Sequence, residues 1–248
     1  MNQDIVNQKR IAIFEKWATL DEKLETLYGT KIYRMLSNFK GTYYAVSKNY
    51  RELSIAIAKY EGNSTFWSTL THKDRILFFR ELSRLLHNYL SSTFTLIQHN
   101  MELRNKCDRI SVEYKSKIDA LQSNDCYNFI RGLRNITQHI ELPSLLGHFS
   151  REKINHPTIQ SIILGKQSLL LREKDICSRS EREGFGRYIR AEKEIDLKIA
   201  LNQYQCLLKD FYNWFYHRFD QLYSKELKEY DAVDNEIQQL QLELRNIK

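Results

Sequence analysis

NFIRGLRNITQHIELP, residues 128–143, decides how the whole chain reads. Its apolar members Phe129, Ile130, Leu133, Ile136 and Ile140 recur at the three- and four-residue spacing of a helix with one buried face. Pro143 cannot donate a backbone hydrogen bond and pushes Leu142 away from helical dihedrals, so the helix is expected to end at about Glu141. Three polar groups interrupt the pattern: Arg134, Asn135 and His139. Asn135 and His139, four apart, stand nearly one above the other. Arg134 and His139, five apart, lie roughly 140° from each other on a straight helix, so they meet only through the long arginine arm or a loosened last turn.

These groups suit the cleavage of RNA without a metal ion. An imidazole passes a proton in either direction near neutral pH, and a guanidinium grips a phosphate at two points while charge builds on it. The attacking group would be the ribose 2′-OH, which DNA lacks.

Arg134-Asn135-x-x-x-His139, with a polar residue directly after the arginine and in a hydrophobic helix ending His-x-x-Leu-Pro, resembles the signature of the HEPN superfamily. Many members of that all-helical superfamily are metal-independent endoribonucleases. The resemblance covers about Leu85 to Pro143. It implies a long-helix bundle, an Arg-x(4–6)-His site completed across a two-fold homodimer, and catalytic roles for Arg134 and His139 with Asn135 assisting. It also implies no cofactor and a setting in phage defence, RNA processing or a toxin–antitoxin pair, with a defence-system partner or antitoxin. Some HEPN toxins carry a tyrosine two residues beyond the histidine as a modification site; here Glu141 occupies that position. The reading from a different class is a non-catalytic helical module that binds RNA or a partner protein.

Two other arginine–histidine pairs compete. Arg80 and His87 share one face of a long helix and read as surface residues. Arg151 and His156 precede Pro157 in a loop and read as non-catalytic.

Composition limits the alternatives. Two prolines and eight glycines in 248 residues, with 28% charged residues, point to long helices. A net charge of +7 favours a polyanionic partner, although 31 acidic residues offset 38 basic ones. Cys107, Cys126, Cys177 and Cys206 show no metal-ligand spacing. No signal peptide or long apolar run is visible, so the expected compartment is the reducing cytoplasm and the cysteines read as thiols. The chain also lacks a Walker A loop, a dinucleotide fingerprint and a nucleophile elbow.

The expected organisation is one all-α domain over residues 1–248. A first helix over 2–28 ends at Gly29, and a second over 30–61 is open to a break at Gly41. Tyr43, Tyr44, Tyr50 and Tyr60 read as helix-packing residues, with base stacking as the other use. Gly62-Asn63-Ser64 marks a turn. Thr71 and Asp74 start a helix running to about 121, with Ser91-Ser92-Thr93 as a candidate kink; its length of roughly 70 Å favours a partner beside it. The motif helix spans about 125–141.

An insertion over about 144–192 follows. Residues 161–171 suit either a β-hairpin about Gly165-Lys166, placed around 160–172, or a short helix. Residues 172–190 read as a flexible arginine-rich contact for RNA or as an ordinary solvated segment. Candidate RNA contacts are Arg131, Arg179, Arg182 and Arg187. C-terminal helices fill about 193–247. Val233, Ile237, Leu240, Leu244 and Ile247 there suit docking on the chain's own body or on a twin subunit.

Overall fold

A computed structural model describes residues 3–61, 69–150 and 159–247. The turn expected at Gly62-Asn63-Ser64 and the Arg151–His156 pair lie outside them. The described fold is all-helical apart from a small three-stranded sheet. Contacts group the chain into two compact units, Met1–Lys40 with Phe215–Lys248, and Gly41–Trp214.

In the first unit, helix α1 (Gln3–Thr26) lies antiparallel to the C-terminal helix α9 (Ser224–Asn246). Leu20, Val233, Ile237 and Leu240 form the buried seam, flanked by Ile13, Trp17, Leu24 and Leu27. The heptad-like spacing of the tail is thus satisfied by the chain's own first helix. Gly29 does not end α1. It sits in the first turn of α2 (Tyr28–Glu61), where the backbone carbonyl of Glu226 occupies the space a Cβ would need. Close approach of two backbones, not a helix stop, explains this glycine. Tyr33 stacks on Tyr230 with centroids 4.3 Å apart. Gly41 leaves α2 unbroken.

The second unit is built around α3 (His72–Lys106), α4 (Ser111–Gln122) and α5 (Asp125–His139). Thr71 caps α3 in a full capping box with Asp74, as its spacing predicts. The expected single helix over 72–121 is broken at Cys107, where a 3-10 turn over Asp108–Ile110 redirects the chain. Cys107 and Ile110 are buried, so apolar packing holds this corner. Ser91-Ser92-Thr93 makes no break: Ser92 and Thr93 each donate to the carbonyl three residues back, both at 2.8 Å, and the helix continues through them. At roughly 1.5 Å per residue α3 extends about 52 Å, and the length argument for a partner weakens accordingly.

Asn124 caps α5 by accepting from the Tyr127 amide. The helix ends at His139, two residues short of the expected Glu141. It runs antiparallel on α3, with Gln138 donating to Ser91 at 2.9 Å and Arg134 stacked on Phe94.

Two expectations for residues 144–192 are corrected. The strand at β2 (Ile159–Leu164) pairs with β1 (Leu145–Ser150), in the register Leu145 opposite Leu164 and Gly147 opposite Ile162. Residues 167–171 are therefore not the second arm of a hairpin. They belong to helix α6 (Lys166–Arg172), because Gly165 donates to the Ser144 carbonyl and Leu169 turns into the core. A short β3 (Ile195–Asp196) completes the sheet beside β2. Residues 172–190 are not a flexible loop either. Most of them form α7 (Arg179–Ala191), which makes the most extensive helix–helix contact among the described residues, against α5. Gly132 and Gly184 permit it: a Cβ on Gly132 would lie 2.5 Å from Phe185 Cδ2, and one on Gly184 would lie 2.7 Å from the Cβ of Asn128. Phe129 stacks on Phe185 and Tyr188 between the two helices.

Helix α8 (Leu197–Leu222) supplies Tyr204, buried against Tyr89 and Tyr127. The tyrosines of α2 also serve packing. Tyr60 is buried, Tyr43 stacks on Tyr212 and Tyr50 donates to Asn202; Tyr44 is exposed.

Candidate functional site

Arg131, Arg134 and Asn135 leave α5 on the side that faces α3 and α7. Across the gap, Glu181 projects from the first turn of α7 and is only 5% exposed. Its two carboxylate oxygens are divided between α5 residues: Asn135 Nδ2 donates to Oε1 at 2.7 Å, and Arg131 Nε lies 3.4 Å from Oε2. Asn135 Oδ1 in turn accepts from Arg134 at 3.0 Å. The Arg134 guanidinium lies 3.7 Å over the Phe94 ring, a stacked cation–π contact that fixes its plane.

The charges in this cluster do not balance. Two guanidinium groups stand near one carboxylate, which pairs with Arg131, and Arg134 makes no ion pair among the described residues. Its Nε is buried without a hydrogen-bond partner among the described residues. Burial, and then repulsion from Arg131, lower the Arg134 pKa from its usual value. Burial raises the Glu181 carboxyl against the opposing pull of Arg131, Arg134 and Asn135. An anionic oxygen beside Arg134 would restore neutrality and satisfy the orphaned donor.

His139 stands apart from this cluster. It is the last residue of α5, exposed, and it makes no hydrogen bond or ion pair among the described residues. The five-residue offset has the consequence its geometry predicts: Arg134 faces the α3–α7 groove while His139 faces solvent.

The remaining candidates scatter. Arg187 makes a bidentate pair with Asp125, at 2.8 Å for the closest contact, and so ties α7 to the start of α5. Arg179 pairs with Glu183 within one exposed helical turn. Arg182 is half-buried on the same helix. None of these three reaches the Arg134 cluster through a hydrogen bond or ion pair among the described residues.

Sequence reasoning missed two parts of the arrangement. Glu181 follows Ser178 by three residues, and that spacing reads as a capping box; Ser178 does cap α7, but the carboxylate is used across the interface instead. The second is a cleft of about 1010 Å³ along the N-terminal half of α3. Arg80 and His87, seven apart on one face, both line it with Arg75 and Arg84, and Thr137 and Leu142 close its other side. Their shared helical face is visible in the sequence, but that it lines a cleft is not. Among the described residues no group of His, Cys, Asp and Glu side chains could hold a metal ion, and no helix is long and apolar enough to cross a membrane. The four cysteines form no disulfide.

No family model, curated protein or solved structure matches the chain.

Proposed function

We propose that this protein is a metal-independent endoribonuclease of HEPN type acting as a homodimer, in the defence or toxin–antitoxin setting that the resemblance implies. The observation that carries the reading is Arg134: a guanidinium locked on Phe94 that has, among the described residues, no ion pair and no acceptor for its buried Nε. An unsatisfied buried donor costs on the order of 1–3 kcal/mol, and a phosphodiester oxygen would recover it. Arg134 then binds the scissile phosphate and stabilises the charge that builds on it. Asn135, held by Glu181, keeps the guanidinium aimed.

His139 supplies proton transfer. The 2′-oxygen gives up its proton and bonds to phosphorus, the bond from phosphorus to the 5′-oxygen breaks, and that oxygen takes up a proton. The products are a 2′,3′-cyclic phosphate and a 5′-hydroxyl. Because His139 and Arg134 of one chain face different surroundings, the reading requires His139 of one copy to meet Arg134 of the other.

That same divergence favours the second reading, a non-catalytic helical module in which Arg134 binds an RNA phosphate and no proton moves. Labelled RNA incubated with purified protein and EDTA separates the two. Cyclic-phosphate ends from wild type and a loss of at least roughly 100-fold in His139→Ala are expected of the nuclease. Wild-type protein that binds RNA but leaves it intact establishes the second reading, and full activity in His139→Ala removes the mechanism.

A further inference from the structure

The cleft on α3 is a continuation of the seam between α3 and α5. Phe94 and Ser91 are covered by Arg134 and Gln138 of α5. One turn earlier α5 stops at His139, and beyond it His87, Arg84, Arg80 and Phe79 of α3 line a cleft among the described residues. The stretch from His87 back to His72 is about 22 Å long, at roughly 1.5 Å per residue.

Its walls are of two kinds. Ile76, Phe79, Leu142 and Leu145 make an apolar floor, and Leu142 at 55% and Ile76 at 40% exposure are left open to solvent. Arg75, Arg80, Arg84 and His87 add basic side chains, and among the described residues no carboxylate lines the cleft. Arg84 is paired with Glu81 on its own helix, whereas Arg80 makes no ion pair among the described residues.

We propose that this cleft binds single-stranded RNA, with phosphates along Arg80 and Arg84 and unstacked bases laid on the floor around Phe79. The inference rests on the reading of the protein as one that acts on RNA, and adds that the strand must be unpaired. In a duplex the base faces are stacked away, so an apolar floor has nothing to receive; a single strand offers both base faces and phosphates to a basic groove with an aromatic surface. The floor also argues against a purely electrostatic contact, which needs no apolar surface.

The test uses an RNA strand carrying 2′-O-methyl groups, which can be bound but not cut, with fluorescence anisotropy read over a range of salt. Arg80 and Arg84 are exposed on α3, so Arg80→Gln/Arg84→Gln should leave the far-UV circular dichroism and melting temperature unchanged; Arg80→Gln alone serves if it does not. Losing two phosphate contacts should weaken binding by about tenfold or more and flatten the slope of log K against log salt by roughly 1.4, two contacts at about 0.7 each. The same strand in a duplex, or lacking its bases, should bind more weakly than the single strand. Unchanged affinity in the double variant, or equal binding of the duplex or the abasic strand, overturns the proposal. The outcome is separable from catalysis. Wild-type protein that cuts RNA yet is indifferent to the double variant loses the cleft and keeps the nuclease, and one that binds as described but never cuts does the reverse.

Discussion

Glu181 holds Asn135 and Arg131 in place, and burial raises its pKa above the ordinary carboxylate value. The folded chain therefore binds this proton more tightly than the unfolded chain. Its contribution to stability is fully present below the unfolded pKa and is lost as pH rises through the raised folded value. Glu181→Gln keeps an oxygen for Asn135 and removes the titration. Urea midpoints compared from pH 4 to pH 7 should show wild type losing stability relative to Glu181→Gln as the pH rises, and parallel curves would show that burial does not govern this carboxyl. The same substitution leaves both arginines without a counter-charge, so RNA affinity should rise while the fold is retained.

At this scale the sequence was legible in residue types and silent on partners. Arg134, Asn135 and His139 stand out because polar groups interrupt an apolar stripe. Glu181, 46 positions beyond Asn135, sits in a charged run whose other members, such as Arg179 and Glu183, do pair in solvent.

Among the helices, glycine has two meanings. Gly184 lies where α7 crosses α5, with no room for a side chain beside Asn128, whereas a Cβ on Gly41 would meet nothing within 4 Å. Gly184→Ala should destabilise the protein by about 1–3 kcal/mol, as overpacking of a close contact does. Gly41→Ala should stabilise it by about 0.5–1 kcal/mol, through restored helix propensity and a less flexible unfolded chain. Urea denaturation of both variants checks the opposite signs, and a shift in the same direction for both would contradict the account. The sequence offered Gly29 and Gly41 as breakers. It could not distinguish a helix stop from a helix crossing, since both require only that the Cβ be missing. Likewise the break at Cys107 has no proline or glycine to announce it, because buried apolar side chains and not local propensity turn the chain there.

For the whole molecule, the separation of Arg134 from His139 makes the proposed activity a property of two copies. If each site takes Arg134 from one subunit and His139 from the other, inactive Arg134→Ala and His139→Ala proteins should restore activity when unfolded together and refolded as mixed dimers. Half the dimers would be mixed and one site in two intact, giving about a quarter of the wild-type rate. No recovery, in material shown by light scattering to be dimeric, would place both groups of a site on one chain or end the nuclease reading.

What the sequence determined by itself is local and periodic: the helical class, the faces that turn inward, the cap at Thr71, and the identity of the polar groups on the motif helix. Each depends on residues within a few positions of one another, where backbone geometry leaves few choices. The tertiary structure alone decided that α9 packs on α1, that an arginine-rich stretch folds against the motif helix, that Glu181 faces Asn135, and that α5 stops at His139 short of the N-terminal half of α3. Those outcomes depend on which apolar faces and charges find each other across tens to hundreds of residues, and a pattern repeated every three or four positions carries no record of which partner it will meet.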